Sequence, residues 1–270
     1  MVLLGGCELT TSEQMKAEKY IKEHGNDAIV HYLWNTDEWD AGERIMLKYV
    51  KYFVSKGSDV NARNEDGNTS LHSAAFLGSI KIAEFLITNG ADVDAKDNRG
   101  YSPLCMAIMH REEDVEVVKF LVFKGADVNT KTINDITPLL SAAFYGNVKV
   151  VEFLVSKGAD VNVKNDDGTT PLHYAANNRN ALVATVLVSN GADINAKGAN
   201  DQTPLHWAAS NQKSVESVEI AKFLISNGAD VNARAKYYSY QAKEVKEGTP
   251  LDVAMEHDNT AVVEYLSSIQ

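Results

Sequence analysis

The chain has 270 residues, with 26 Lys or Arg against 37 Asp or Glu, for a net charge of −11. Apolar residues make up 44% of it, too many for a disordered chain, and no apolar run approaches the ~18 residues of a membrane-spanning helix. The acidic balance excludes a general binder of nucleic acid or anionic membrane, since both need clustered positive charge, and two cysteines, Cys7 and Cys105, build neither a disulfide framework nor a zinc site unaided.

Residues 1–10 leave two readings open. Leu4-Gly5-Gly6-Cys7 resembles the lipobox that precedes the lipidated cysteine of bacterial lipoproteins, yet no basic segment precedes it and the apolar stretch is short. Either the segment is a flexible tail of a cytoplasmic protein, or it is a signal remnant. In the second case Cys7 carries a lipid and the protein is anchored in a bacterial envelope or secreted. Thr11-Ser12-Glu13-Gln14 then opens a helix expected to run to His24, with Gly25 ending it. Asn26 to Asn35 and Gly42 to Ser55 read as a degenerate helix pair, so residues 11–63 form an N-terminal capping region. Trp34 and Trp39 are expected to plug the open end of the core behind it.

From Gly57 onward the chain repeats itself. Gly57-Ser58-Asp59-Val60-Asn61 returns at Gly90, Gly125, Gly158, Gly191 and Gly228, at spacings of 33, 35, 33, 33 and 37 residues. A second motif runs out of phase with it, as Thr170-Pro171-Leu172-His173 and Thr203-Pro204-Leu205-His206, and all five prolines lie in it. Thr or Ser before Pro is a helix cap followed by a first-turn proline, whose missing N–H costs nothing there. Apolar residues at helical spacing, such as Val150, Val151, Phe153 and Leu154, mark a second helix in each unit. The glycine ends that helix in a left-handed conformation, and the Ala-Asp-Val-Asn stretch forms a tight turn.

A 33-residue period carrying Thr-Pro-Leu-His and Gly-Ala-Asp-Val-Asn resembles the ankyrin repeat family over about residues 56 to 270. The resemblance implies an all-α solenoid of stacked helix-turn-helix units with β-hairpin-like loops. Full repeats are placed at 64–96, 97–131, 132–164, 165–197 and 198–234, and a C-terminal capping repeat at 235–270. Three inserts break the period. Those near His110–Asp114 and Gln212–Ser217 read as exposed loops between helices. The insert at 235–248 carries Tyr237, Tyr238 and Tyr240, which either meet a partner or pack on the final unit.

The resemblance also implies function. Ankyrin repeats hold protein partners in a concave groove, do not catalyse reactions, and need no cofactor or metal. The protein is expected to be a non-catalytic scaffold or adaptor, and a monomer, as capped solenoids commonly are. A dedicated inhibitor or self-protection protein and a spacer without a stable partner are the alternatives. In the family, the histidine shared by His72, His173 and His206 is structural, joining loop to helix. No Gly-rich phosphate loop or nucleophile elbow occurs. By position, the groove residues of the first three repeats are Phe76, Leu77, Tyr101, Met109, Ile136, Phe144 and Tyr145. Those of the next two include Asn177, Asn178 and Asn211, a change from apolar to amide-rich.

Overall fold

In a computed structural model of the chain, residues 9–35, 42–109, 115–210, 215–239 and 242–269 are described. The chain forms two compact units, Met1–Asp127 and Val128–Gln270.

Unit 1 opens with α1 (Thr11–His24), a 3-10 turn at Gly25–Asp27, α2 (Ala28–Asn35) and α3 (Glu43–Ser55). The cap of α1 is Thr10, one residue before the expected start. A capping box needs its acid three positions after the cap, and that places Glu13 opposite Thr10. The Thr10 amide donates to Glu13 Oε2 at 2.6 Å, and the Glu13 amide donates to Thr10 Oγ1 at 3.3 Å. Ile29, Leu33, Val50 and Phe53 are fully buried and fill this end of the core. Tyr32 lies edge-on to Phe53 at 5.4 Å and tilts against Tyr49 at 5.1 Å. Trp34, expected as the plug, is instead half-buried beside Phe76, with ring centroids 6.0 Å apart. Trp39 lies outside the described residues.

Two helix pairs follow in unit 1: α4 (Ser70–Phe76) with α5 (Ile80–Thr88), and α6 (Pro103–Met109) with α7 (Val115–Phe123). Unit 2 holds α8 (Pro138–Tyr145) with α9 (Val148–Ser156), α10 (Pro171–Asn177) with α11 (Ala181–Ser189), and α12 (Pro204–Ser210) with α13 (Val215–Ser226). It ends with α14 (Pro250–Glu256) and α15 (Thr260–Ile269). Each of the five prolines begins its helix, where the ring fits the fixed φ and no hydrogen bond is lost. The first helices carry Ala74–Ala75, Ala142–Ala143, Ala175–Ala176 and Ala208–Ala209, all with no exposure, so neighbouring helices approach closely there. The second helices bury an i, i+1, i+4 set, as in Val150, Val151 and Leu154. The glycine after each second helix from α5 to α13 has positive φ, 87° at Gly158, and a Cβ there would meet nothing within 4 Å. Backbone conformation alone explains that glycine. This is an all-α repeat solenoid.

The inserts resolve differently. Val215, Glu216 and Ser217, expected in a loop, lie inside α13, and Ser217 is fully buried. Part of the extra length therefore extends the helix by almost a turn over its counterparts. Residues 110–114 and 211–214 lie outside the described residues. The last insert forms β1 (Ala235–Ser239) and β2 (Glu244–Gly248), an antiparallel pair in which Tyr237 faces Lys246 and Tyr238 faces Val245. No helix among the described residues is long and apolar enough to cross a membrane.

Side-chain amides bridge consecutive turns. The Asn162 amide donates to the Gly191 carbonyl at 3.0 Å, and its oxygen accepts from the Asp193 amide at 2.7 Å. Asn61, Asn129 and Asn195 repeat the pattern. At Asp94 only the accepting half survives, from the Asp127 amide at 2.9 Å, because a carboxylate has no proton to donate to the next carbonyl. Asp94→Asn restores that donor and is expected to stabilise the protein by about 1 kcal/mol, while Asn162→Asp should destabilise it by a similar amount. Urea unfolding of the two variants checks both signs.

Candidate functional site

Three buried histidines are the first candidates for chemistry. His173 Nδ1 faces two donors, the Thr170 amide at 3.2 Å and the Thr170 hydroxyl at 2.8 Å. Nε2 faces the Gln202 carbonyl at 2.9 Å, which can only accept, so the proton sits on Nε2. His72 repeats this between Thr69 and the Tyr101 carbonyl, and His206 between Thr203 and the Gly248 carbonyl. Each ring clips its own helix start to the following turn, and both its nitrogens are engaged. Cys105 occupies the same position in α6. It is buried, burial pushes its thiol upward, and its sulfur lies 3.6 Å from Ser102 Oγ. Such a thiol is a small apolar filler rather than a nucleophile. No group of three or more potential metal ligands occurs among the described residues.

The candidate binding residues fall on both units. In unit 1, Phe76, Leu77, Tyr101 and Met109 are each half-buried. In unit 2, Ile136 is half-buried, while Phe144 and Tyr145 each expose 50% of their surface. Asn177 is exposed. Asn178 has a different task, because its amide donates back to the Ala143 and Phe144 carbonyls and so ties α10 to the end of α8. Tyr237 points inward and packs on the cluster of Ala209, Val253, Ala254, Val262 and Leu266. Tyr238 points outward and exposes 49% of its surface. Asn211, Tyr240 and Cys7 lie outside the described residues.

Sequence reasoning missed two residues of unit 2. Phe144 meets Tyr145 edge-on at 5.2 Å and Tyr174 at 5.4 Å, and Tyr174 meets Trp207 at 5.9 Å. Tyr174 and Trp207 precede the Ala-Ala pair of their helices, where α4 and α8 have Ser73 and Ser141. The exchange of serine for tyrosine and tryptophan was the available signal. The supposed amide-rich half of the surface therefore has an aromatic floor.

The histidine clips make stability depend on pH. Burial lowers the pKa of His173 to about 4 from an ordinary 6.5, and lowers those of His72 and His206 as well. Between pH 6.5 and about 4 the unfolded chain binds more protons than the folded one. The stability that neutral His173 contributes is thus complete above pH 6.5 and is lost as pH falls through that window. The urea midpoint should drop from pH 7 to pH 4.5, and drop less steeply in His173→Leu, since Leu140 already fills the equivalent place in α8. Equal slopes in the two proteins would assign the effect to other groups.

Comparison with curated proteins finds no match. A family model described as "Ankyrin repeats (3 copies)" matches residues 40–132, 104–198, 139–235 and 198–270. Together these matches run from residue 40 to 270 and take in every helix from α3 onward and the bridging turns, but not α1 or α2, and repeats of this kind are generally protein–protein interaction modules. The chain belongs to the ankyrin-repeat family.

Proposed function

We propose that this protein is a non-catalytic scaffold or adaptor that binds another protein along the first helices and turns of its repeats. The observation that carries the reading is the pair Phe144–Tyr145. Six consecutive residues of α8, Pro138 to Ala143, are buried, and then two large aromatic side chains stand half in water at its end. Exposed adjacent aromatics of this size are costly to leave solvated and are over-represented where partners bind. Phe76, Leu77, Tyr101 and Met109 offer the corresponding positions in unit 1, and Ile136, Asn177 and Asn178 flank the pair in unit 2. The working division of the chain is a cap at 11–63, repeats at 64–96, 97–131, 132–164, 165–197 and 198–234, and a C-terminal cap at 235–270. The histidines support the non-catalytic reading, because each has both nitrogens engaged within the fold.

Affinity capture from the source lysate, with wild type and Phe144→Ala/Tyr145→Ala as baits, tests the proposal. A partner held by wild type should be lost by the double variant, consistent with a cost of about 2 kcal/mol or more for a hot-spot pair. A partner retained equally by both baits would move the site to the Tyr237–Tyr238 hairpin. Retention of nothing by either would favour the spacer reading.

A further inference from the structure

The second helices of unit 2 follow one pattern on their exposed side, and α11 breaks it. α9 carries Lys149 and Glu152, and α13 carries Glu219 and Lys222, at equivalent and exposed positions three residues apart. In α11 those two positions hold Leu182 and Thr185. Among the described residues, α11 is the one second helix from α5 to α15 with no charged side chain. Leu182, Thr185, Val186 and Ser189 fall at i, i+3, i+4 and i+7 and so share one face. Leu182 exposes 67% of its surface, Thr185 and Ser189 are exposed, and Val186 is half-buried. This uncharged stripe lies on a second helix, whereas the candidate groove residues lie on first helices and turns.

α11 packs between α9 and α13, so their four charges flank the stripe. None of the four forms a salt bridge among the described residues; Lys222 rests over the Tyr265 ring, 5.2 Å from its centre. The corresponding lysines of unit 1 are used within the chain, Lys81 with Glu43 at 2.9 Å and Lys119 with Glu116 at 2.8 Å. The two flanks of α11 also carry their charges in opposite order. Lysine leads and glutamate follows on α9, whereas glutamate leads and lysine follows on α13.

We propose that the face of α9, α11 and α13 docks a second copy of this chain about a two-fold axis, stripe on stripe. The reversed order of charges makes the face complementary to itself, which is what an isologous contact requires. An axis lying across the helices sets each helix antiparallel on its own counterpart. Lys149 then meets Glu152 of the second copy, and Glu219 meets its Lys222. An axis lying along the helices sets α9 on α13 of the second copy, so that Lys149 meets its Glu219 and Glu152 meets its Lys222. All four charges face an opposite charge either way, and Leu182 and Val186 are withdrawn from water. Had α9 and α13 carried the same order, the second arrangement would set like charges together. Three short helices make an interface at the small end of the size range, so the dimer is weak. It replaces the monomer expected from the sequence and uses none of the candidate groove residues.

Sedimentation velocity of the full chain, from about 10 μM to about 1 mM, covers the self-association expected of so small an interface. The weight-average mass of wild type should rise with concentration toward twice that of the chain. Leu182→Lys/Thr185→Lys should stay monomeric throughout, because like charges then face each other across either axis. Lys149→Glu should raise the dimer Kd by about tenfold or more, since the symmetry brings the substitution into the contact twice. Phe144→Ala/Tyr145→Ala should dimerise as wild type does. All the substituted side chains are exposed, and an unchanged circular dichroism spectrum confirms that the variants fold. Wild type that remains a monomer at every concentration would overturn the inference and leave the protein-binding reading standing. So would a dimer that survives Leu182→Lys/Thr185→Lys or is indifferent to Lys149→Glu. A dimer lost in Phe144→Ala/Tyr145→Ala would place the contact in the groove and overturn the inference as well.

Discussion

Within each unit, a helix pair carries a face of small apolar side chains that a neighbouring pair covers. Alanine pairs such as Ala142–Ala143 and Ala175–Ala176 bring first helices within close reach, and Val150, Val151 and Leu154 fill the space behind them. A single pair buries too little to fold alone, so stability is a property of neighbours and accumulates along the stack. The ends must then be treated as exceptions. Unit 1 begins with a core of Ile29, Leu33, Val50 and Phe53, and unit 2 finishes with α14 and α15, Tyr237 tucked against them.

Polar groups add register to that packing. A histidine clips the start of its helix to a following turn, and an asparagine spans consecutive turns with one donor and one acceptor. Neither interaction is large, but each is directional, and together they fix how far one repeat rotates on the next. The binding face depends on that rotation. Rings from α8, α10 and α12 make one row only because the three helices keep a constant offset, and Asn178 secures part of it by holding α10 to the end of α8.

Most of the fold was legible because its punctuation is chemically strict. Proline at the first helical position, a Thr cap and a left-handed glycine each tolerate few substitutes, so the period shows through even where other residues drift. The cap of α1 was misplaced by one residue because Thr10, Thr11 and Ser12 are all good caps, and only the reach of Glu13 separates them. The insert before α13 was misread because extra residues can lengthen a helix as easily as a loop. The candidate site was half legible. Phe144 and Tyr145 were visible as aromatics at groove positions in adjacent rows. Tyr174 and Trp207 were not, since their position holds buried serine in α4 and α8 and pattern alone assigns it to the core. Asn178 was identified as a surface amide, and only the folded structure shows its donor committed to the preceding helix.

Asp94 shows where chemical ageing would act on this molecule. Loss of ammonia from a bridging asparagine converts an amide into a carboxylate, which is the group that Asp94 already carries. Where the product is aspartate it keeps the acceptor and loses the donor, so Asn61, Asn129, Asn162 or Asn195 would then hold only the half-bridge seen at Asp94, while an isoaspartate product would displace the backbone as well. Those asparagines are followed by Ala62, Thr130, Val163 and Ala196, none of them glycine. A side chain on the following residue hinders the ring closure through which the amide is lost. The residue after each bridge, which makes no contact in the bridge itself, therefore sets how long the spacing between repeats lasts.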